Sequence, residues 1–147
     1  IGAALNYSDG KLTENLPIAT EGLSGDVIPY VPDFTWNLNA RYEWPLSARG
    51  LRLFVSGDWA YTGEQTTVLR PNNVQYRKLD GYSLVNARVG VTGERWSATL
   101  GVDNLLDEDE TSAYVFDFGG STPNGVVPDG LVRPWPRTVS LSFRMDF

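Results

Sequence analysis

The chain has 147 residues, a formal net charge of −6, no cysteine, no histidine and one methionine. Without histidine there is no Ser-His-Asp or Cys-His catalytic arrangement and no His-based zinc or iron site; without cysteine there is no disulfide framework, iron–sulfur centre or thiolate nucleophile. The acidic balance, with no Lys/Arg stripe, excludes nucleic acid as the expected partner. No apolar run reaches the roughly 18 residues of a transmembrane helix, but a transmembrane β-strand needs only about 9–11 alternating residues.

Along the chain the dominant signal is period-two alternation, the pattern of strands with one apolar face. The opening Ile1-Gly2-Ala3-Ala4-Leu5 has no initiator methionine, charged leader or signal core, and is read as the start of a mature or truncated product. Ile1, Ala3, Leu5 and Tyr7 form the apolar set of a first strand. From Phe34 to Trp44, the set Phe34, Trp36, Leu38, Ala40, Tyr42 and Trp44 opposes Thr35, Asn37, Asn39, Arg41 and Glu43. From Leu51 to Thr62, Leu51, Leu53, Val55, Trp59 and Tyr61 oppose Arg52, Ser56, Asp58 and Thr62, with Phe54 out of phase. Tyr82 to Thr92 and Trp96 to Asp103 alternate likewise, with Leu84 the exception. The last ten residues alternate without a violation: Val139, Leu141, Phe143, Met145 and Phe147 against Thr138, Ser140, Ser142, Arg144 and Asp146. No segment has a helical period.

The connections alternate in length. Leu46 to Gly50 and Gly93 to Arg95 are short turns. Ser8 to Val31, Gly63 to Gly81 and Leu105 to Pro136 are long, irregular and rich in Gly, Pro, Asn and Asp. In an up-and-down meander, successive connections lie at opposite ends, so all long loops leave one end of the sheet. Short turns on one side and long loops on the other are the asymmetry of an outer-membrane barrel. Tyr42, Trp44, Trp96 and Phe147 fall at the short-turn end, Phe34, Trp36, Trp59 and Tyr61 at the long-loop end, with aliphatic residues between. Two aromatic girdles around an aliphatic band suit a bilayer. A soluble carbohydrate-binding β-sandwich, the competing architecture, would draw its aromatics to mid-strand. Six strands at about 4.8 Å spacing and a tilt near 40° span an arc of roughly 38 Å, which closes to a cylinder too narrow for four arginines. The chain is therefore expected to be part of a larger barrel.

The motifs sharpen this. Val102-Asp103-Asn104-Leu105-Leu106-Asp107 resembles the Asn-Leu-(Phe/Leu)-Asp signature at the top of the penultimate strand of TonB-dependent outer-membrane receptors. Pro136-Arg137-Thr138 resembles the Pro-Arg-Thr/Ser that launches their final strand, Phe147 matches the terminal aromatic, and Ile28-Pro29-Tyr30-Val31-Pro32 with Asn39 and Tyr42 resembles an earlier strand start. The resemblance implies an all-β, antiparallel transmembrane β-barrel. Residues 1–147 would be a C-terminal segment of about six strands from a barrel of about 22, with the plug domain and TonB box absent from this chain. It further implies a multi-pass protein of the Gram-negative outer membrane. Its work would be TonB-dependent uptake of a scarce bulky ligand, a ferric siderophore first, with an oligosaccharide, cobalamin or another large nutrient as alternatives. The implied partners are the lipid bilayer and lipopolysaccharide, the TonB complex through the missing N-terminal part, the barrel-assembly machinery acting on Phe147, and a small-molecule ligand such as a metal chelate.

No catalytic residue, resident cofactor or metal site is expected; outer-membrane lipases and proteases rely on histidine as general base. The acidity lies in the loops. Ser8 to Val31 carries Lys11 against Asp9, Glu14, Glu21 and Asp26, a net −3, and Leu105 to Pro136 has a net −5. The run Asp107-Glu108-Asp109-Glu110 is expected to be solvated, since it lacks the spaced ligands of a calcium loop. Arg41, Arg52, Arg88, Arg144, Glu43, Asp58, Asp103 and Asp146 are expected to pair with one another or with a plug. The candidate ligand-binding residues are Arg70, Arg77 and Lys78, for an anionic group, and Tyr114, Phe116 and Phe118, for stacking on flat groups or for extending a hairpin above the membrane.

Overall fold

A computed structural model describes residues 1–17, 22–46, 50–115 and 130–147. Among these residues there are strands and no helix. Six strands form one antiparallel sheet: β1 (Gly2–Tyr7), β2 (Phe34–Pro45), β3 (Arg52–Thr62), then β6 (Tyr82–Thr92), β7 (Trp96–Asp103) and β10 (Thr138–Met145), adjacent in that order. The long connections are not wholly irregular. β4 (Gln65–Thr66) pairs with β5 (Lys78–Leu79), and β8 (Ala113–Val115) pairs with β9 (Gly130–Val132). Two and three residues are too short to alternate visibly in the sequence and too short to cross a bilayer. The expected hairpin in the last long connection thus exists at Tyr114, while Phe116 and Phe118 lie outside the described residues.

The register keeps every strand in phase. Leu5 lies opposite Trp36, Trp36 opposite Tyr61, Trp59 opposite Val85, Val89 opposite Leu100, and Leu100 opposite Leu141. A slip of one residue anywhere would throw these apolar positions to the other face, so a single apolar face runs across all six strands. That face is bare. Leu141 is 79% exposed and Phe143 66%, with Leu5, Leu38, Tyr42, Val55, Trp59, Val89 and Leu100 also exposed. Phe54 and Leu79 are the only buried apolar side chains among the described residues. A soluble sandwich would bury this face against a second sheet, which the described residues do not supply.

The two exceptions to alternation are explained by the opposite, polar face. Phe54 lies opposite Gly90, where an added Cβ would stand 2.5 Å from the Phe54 ring, so the ring fills the space of the absent side chain. The Arg41 guanidinium covers it, 3.9 Å from the ring centre. Leu84 lies opposite Ala60 on the same face. The charges there pair largely among themselves. Arg41 Nε donates to Glu43 Oε1 at 2.7 Å, Arg88 reaches Asp103 at 2.7 Å and Asp58 at 3.8 Å, and Arg144 reaches Asp146 at 3.1 Å.

The aromatic girdles form as clusters. Trp36 meets Trp59 edge-on at 4.8 Å and stacks with Tyr61 at 6.2 Å at the long-loop end. At the other end Tyr42 lies 5.4 Å from Trp44 and Trp96 stacks with Phe143 at 6.2 Å. The turns between β2 and β3 and between β6 and β7 close with Leu46 N–H to Leu51 O and Gly93 N–H to Trp96 O, both 2.8 Å. Gly50, at φ +66°, supplies the left-handed residue of the first.

Candidate functional site: where the long connections meet

The long connections converge at one end of the sheet. In the first, Lys11 bridges Val27, and Leu12 N–H donates to Asp26 O at 2.9 Å, folding the segment back on itself. In the second, the buried Thr67 hydroxyl donates to Gln75 O and accepts from Arg77 N–H, both at 2.7 Å, which holds β4 and β5 together. Tyr30 joins all three. Its N–H donates to Thr66 O at 2.9 Å and its phenol donates to Tyr114 O at 3.2 Å, from a left-handed backbone at φ +57°. A tyrosine is uncommon there and costs conformational energy, which these two bonds and the flanking Pro29 and Pro32 constrain.

The third connection is tied at its base. Asn104, 4% exposed, donates through Nδ2 to Glu108 O at 2.8 Å and to Trp135 O at 2.9 Å, while its Oδ1 accepts Glu108 N–H at 2.8 Å. Its own N–H donates to Asn86 Oδ1 on β6. Asp107 then accepts Arg137 N–H at 3.1 Å and pairs with the Arg137 guanidinium at 3.2 Å. Asn104 and Asp107 both have positive φ, +52° and +60°, and Asn and Asp are the side chains that best tolerate it. The two motifs read separately in the sequence therefore clasp each other. Asp107 is thereby tied to Arg137 while its side chain stays 55% exposed, as expected of the acidic run. The described residues contain no acidic cluster able to hold a metal ion.

The predicted basic residues separate into different roles. Arg70 faces Asp26 at 3.9 Å. Arg77 Nη1 donates to Val74 O at 2.9 Å and Tyr76 O at 2.7 Å, bracing its own turn. Lys78 pairs with Glu64 at 2.7 Å, a hydrogen bond that, with the carboxylate charge, raises its pKa above 10.5. Of the three, Lys78 lines a cavity of about 300 Å³ between the first and second connections. Asp9, Lys11, Asp33, Glu64 and Thr66 share that lining, with Lys11 held by Asp9 at 2.8 Å. Tyr7, Val27 and Val31 add apolar surface. Sequence reading missed this cavity because its residues come from three separate stretches, 7–11, 27–33 and 64–78, and no motif marks them. Phe147, the expected assembly signal, is fully exposed beyond β10.

The sequence matches the family described as TonB dependent receptor-like, beta-barrel, over residues 1–105. The chain belongs to that family. No solved structure matches it. The antiparallel sheet with its bare apolar face is thus part of a receptor β-barrel, of a family whose context is the Gram-negative outer membrane and whose work is TonB-dependent transport. The match ends at Leu105, inside the Asn104-Leu105-Leu106-Asp107 motif. Beyond it, β10 continues the barrel wall through eight register pairs with β7, from Thr138 opposite Asp103 to Met145 opposite Trp96.

Proposed function

We propose that this chain supplies the final six strands of a TonB-dependent receptor barrel of about 22 strands that imports a ferric siderophore. The plug and TonB box would lie on a segment preceding these residues. The observation that carries the reading is the unbroken outward apolar face joined to converging long connections at one end, which is what a lipid-embedded wall with an external ligand mouth requires. Ligand contact is assigned to Tyr114, with Phe116 and Phe118, for stacking, and to Arg70, Arg77 and Lys78 for negative charge, with the Tyr30 phenol bonded to the Tyr114 carbonyl. Phe147 is assigned to the barrel-assembly machinery, and the outer girdle to lipopolysaccharide. An oligosaccharide as cargo is the second reading, favoured by the pairing of Lys11 and Lys78 with carboxylates.

The test is accumulation of radiolabelled ferric siderophores, catecholate and hydroxamate, by cells carrying the full receptor. Uptake that depends on TonB and the membrane potential supports the proposal. Uptake of ferric complexes that persists without either overturns the transport reading, and TonB-dependent uptake of oligosaccharide alone replaces the siderophore by the second reading.

A further inference from the structure

The third connection joins β7 to β10, yet its base is bound to β6. In the β6–β7 ladder Ala87 faces Val102, so regular pairing would bring Asn104 opposite Val85. Instead Leu105 N–H donates to Val85 O at 2.7 Å, one residue out of step. Asn104, at φ +52°, takes up the extra residue as a bulge, which leaves its N–H outside the ladder. That N–H donates to Asn86 Oδ1 at 2.9 Å. The other end of the same amide, Asn86 Nδ2, donates to Asp58 Oδ2 on β3 at 2.7 Å. Asn86 and Asp58 lie directly opposite each other on the lumenal face. Only one orientation of the Asn86 amide serves both partners, because a backbone N–H only donates and a carboxylate only accepts. The buried Asn104 side chain then carries the chain of bonds on to Glu108 and Trp135. A carboxylate of the wall thus reaches an external connection in two steps. The Arg88 pairs with Asp58, at 3.8 Å, and Asp103, at 2.7 Å, run alongside but are half-exposed and add little.

We propose that Asn86 is a positioning residue, which ties the base of the third connection to the lumenal carboxylate of Asp58, so that the placement of this connection is set from inside the barrel. The inference needs only the barrel and no particular cargo. Coupling between two places is reciprocal. A group in the lumen that takes Asp58 from Asn86 loosens the third connection, and a group that pulls on the third connection is felt at Asp58.

The experiment uses the full receptor in lipid vesicles, with nitroxide labels at Leu131→Cys on β9 and Val74→Cys in the second connection as its only labelled cysteines. Both positions are exposed. Pulsed electron paramagnetic resonance reads the distance between the two connections, and the otherwise unsubstituted receptor should give one narrow maximum. Asn86→Asp sets a second carboxylate against Asp58 and should lose that maximum. Asp58→Asn should keep it, because the new amide oxygen still accepts from Asn86 Nδ2. The double variant, Asn86→Asp with Asp58→Asn, exchanges donor and acceptor between the strands and leaves Asn104 N–H its acceptor. It should restore the narrow maximum. Both substitutions are isosteric, so a role in packing alone produces no such pattern. Asp58→Leu removes the acceptor from the lumenal side and should lose the maximum as Asn86→Asp does, which gives an independent reading should Asn86→Asp not insert. Folded gel mobility checks each receptor. A broad distribution without any of these changes, a maximum retained in Asn86→Asp or in Asp58→Leu, or a double variant no narrower than Asn86→Asp overturns the proposal.

Discussion

The barrel wall and the loop end obey opposite rules. In the wall, apolar side chains point outward and are bare, while the polar face is knitted by Arg88 with Asp103 and Asp58, and by Arg41 over Phe54. At the loop end the buried groups are polar or isolated: Thr67, Asn104 and Leu79. There the ladders are only two and three residues long, β4–β5 and β8–β9, and side-chain hydrogen bonds supplement them. The wall is stabilised by repetition and by the apolar solvent it faces, so each residue contributes according to its facing and depth. The loop end depends on a few individual residues, Tyr30, Asn104 and Asp107, none of which repeats. Substitutions should therefore follow position in the wall and identity at the loop end.

The largest expected effect tests the wall. Leu141 faces outward and Ser142 inward on β10. Counting up from Phe147 at a strand advance of roughly 2.4–2.5 Å per residue along the membrane normal, Leu141 falls near the middle of the apolar band. Leu141→Arg should destabilise the receptor by about 2–4 kcal/mol, since the guanidinium must enter hydrocarbon, whereas Ser142→Arg should cost little. Urea titration of receptor refolded into lipid vesicles measures both. Equal tolerance would reverse the assigned facing and the contrast with it.

The same contrast explains what was legible in the sequence. Strand facing was readable because alternation over eight or more residues needs no knowledge of the partner strand, and the register then follows from keeping one face apolar. Phe54 looked like a defect of β3 because its reason, Gly90, lies on another strand. The short pairs β4–β5 and β8–β9 were invisible for lack of length. At the loop end, Asn104 and Asp107 were recognised as part of a motif, but their partners Trp135 and Arg137 lie about thirty residues on. Tyr30 stood in the quoted Pro-Tyr-Val-Pro stretch, yet nothing local announces that its phenol reaches Tyr114. Arg70, Arg77 and Lys78 were grouped by nearness in sequence, whereas their partners are set by a fold that distributes them.

The next effect tests the loop end. Asn104→Ala removes three side-chain hydrogen bonds at a buried position and puts alanine in a left-handed conformation. A loss of about 2–3 kcal/mol is expected, from unsatisfied carbonyls together with backbone strain. Asn104→Gly relieves the strain but not the lost bonds, and should recover only part of the loss. Full recovery by glycine would mean that the backbone conformation, not the amide, holds the base of the third connection.

Smaller still, Gly90→Ala returns to the wall. The new Cβ would approach the Phe54 ring at 2.5 Å and the Ala98 carbonyl oxygen at 2.8 Å. Overpacking of this kind costs about 1–3 kcal/mol. Adding Phe54→Ala removes the ring contact but leaves the backbone contact, so the double variant should regain only part of the loss. A Gly90→Ala receptor as stable as the wild type in the same urea titration would show that the ring moves freely on this face.

The smallest effect is electrostatic and belongs to the loop end. Lys78 is hydrogen-bonded to Glu64 and lies in its field, which raises its pKa above 10.5, with Asp80 and Tyr76 adding to this and desolvation opposing it. Lys11 is raised in the same direction by Asp9. Because the folded-state pKa is the higher one, whatever stability these pairs contribute is fully present below pH 10.5 and is lost as the pH rises through the folded-state value. Both side chains are exposed, so salt and water screen the pairs. The receptor should therefore show no change in stability from these lysines across neutral pH. The direct measurement is a ¹³C titration of labelled lysine Cε in the full receptor. The Lys78 midpoint should lie above 10.5 and fall toward it in Glu64→Gln, while the Lys11 midpoint stays where it is. A Lys78 midpoint unmoved by Glu64→Gln would mean that the 2.7 Å pair does not persist in solution.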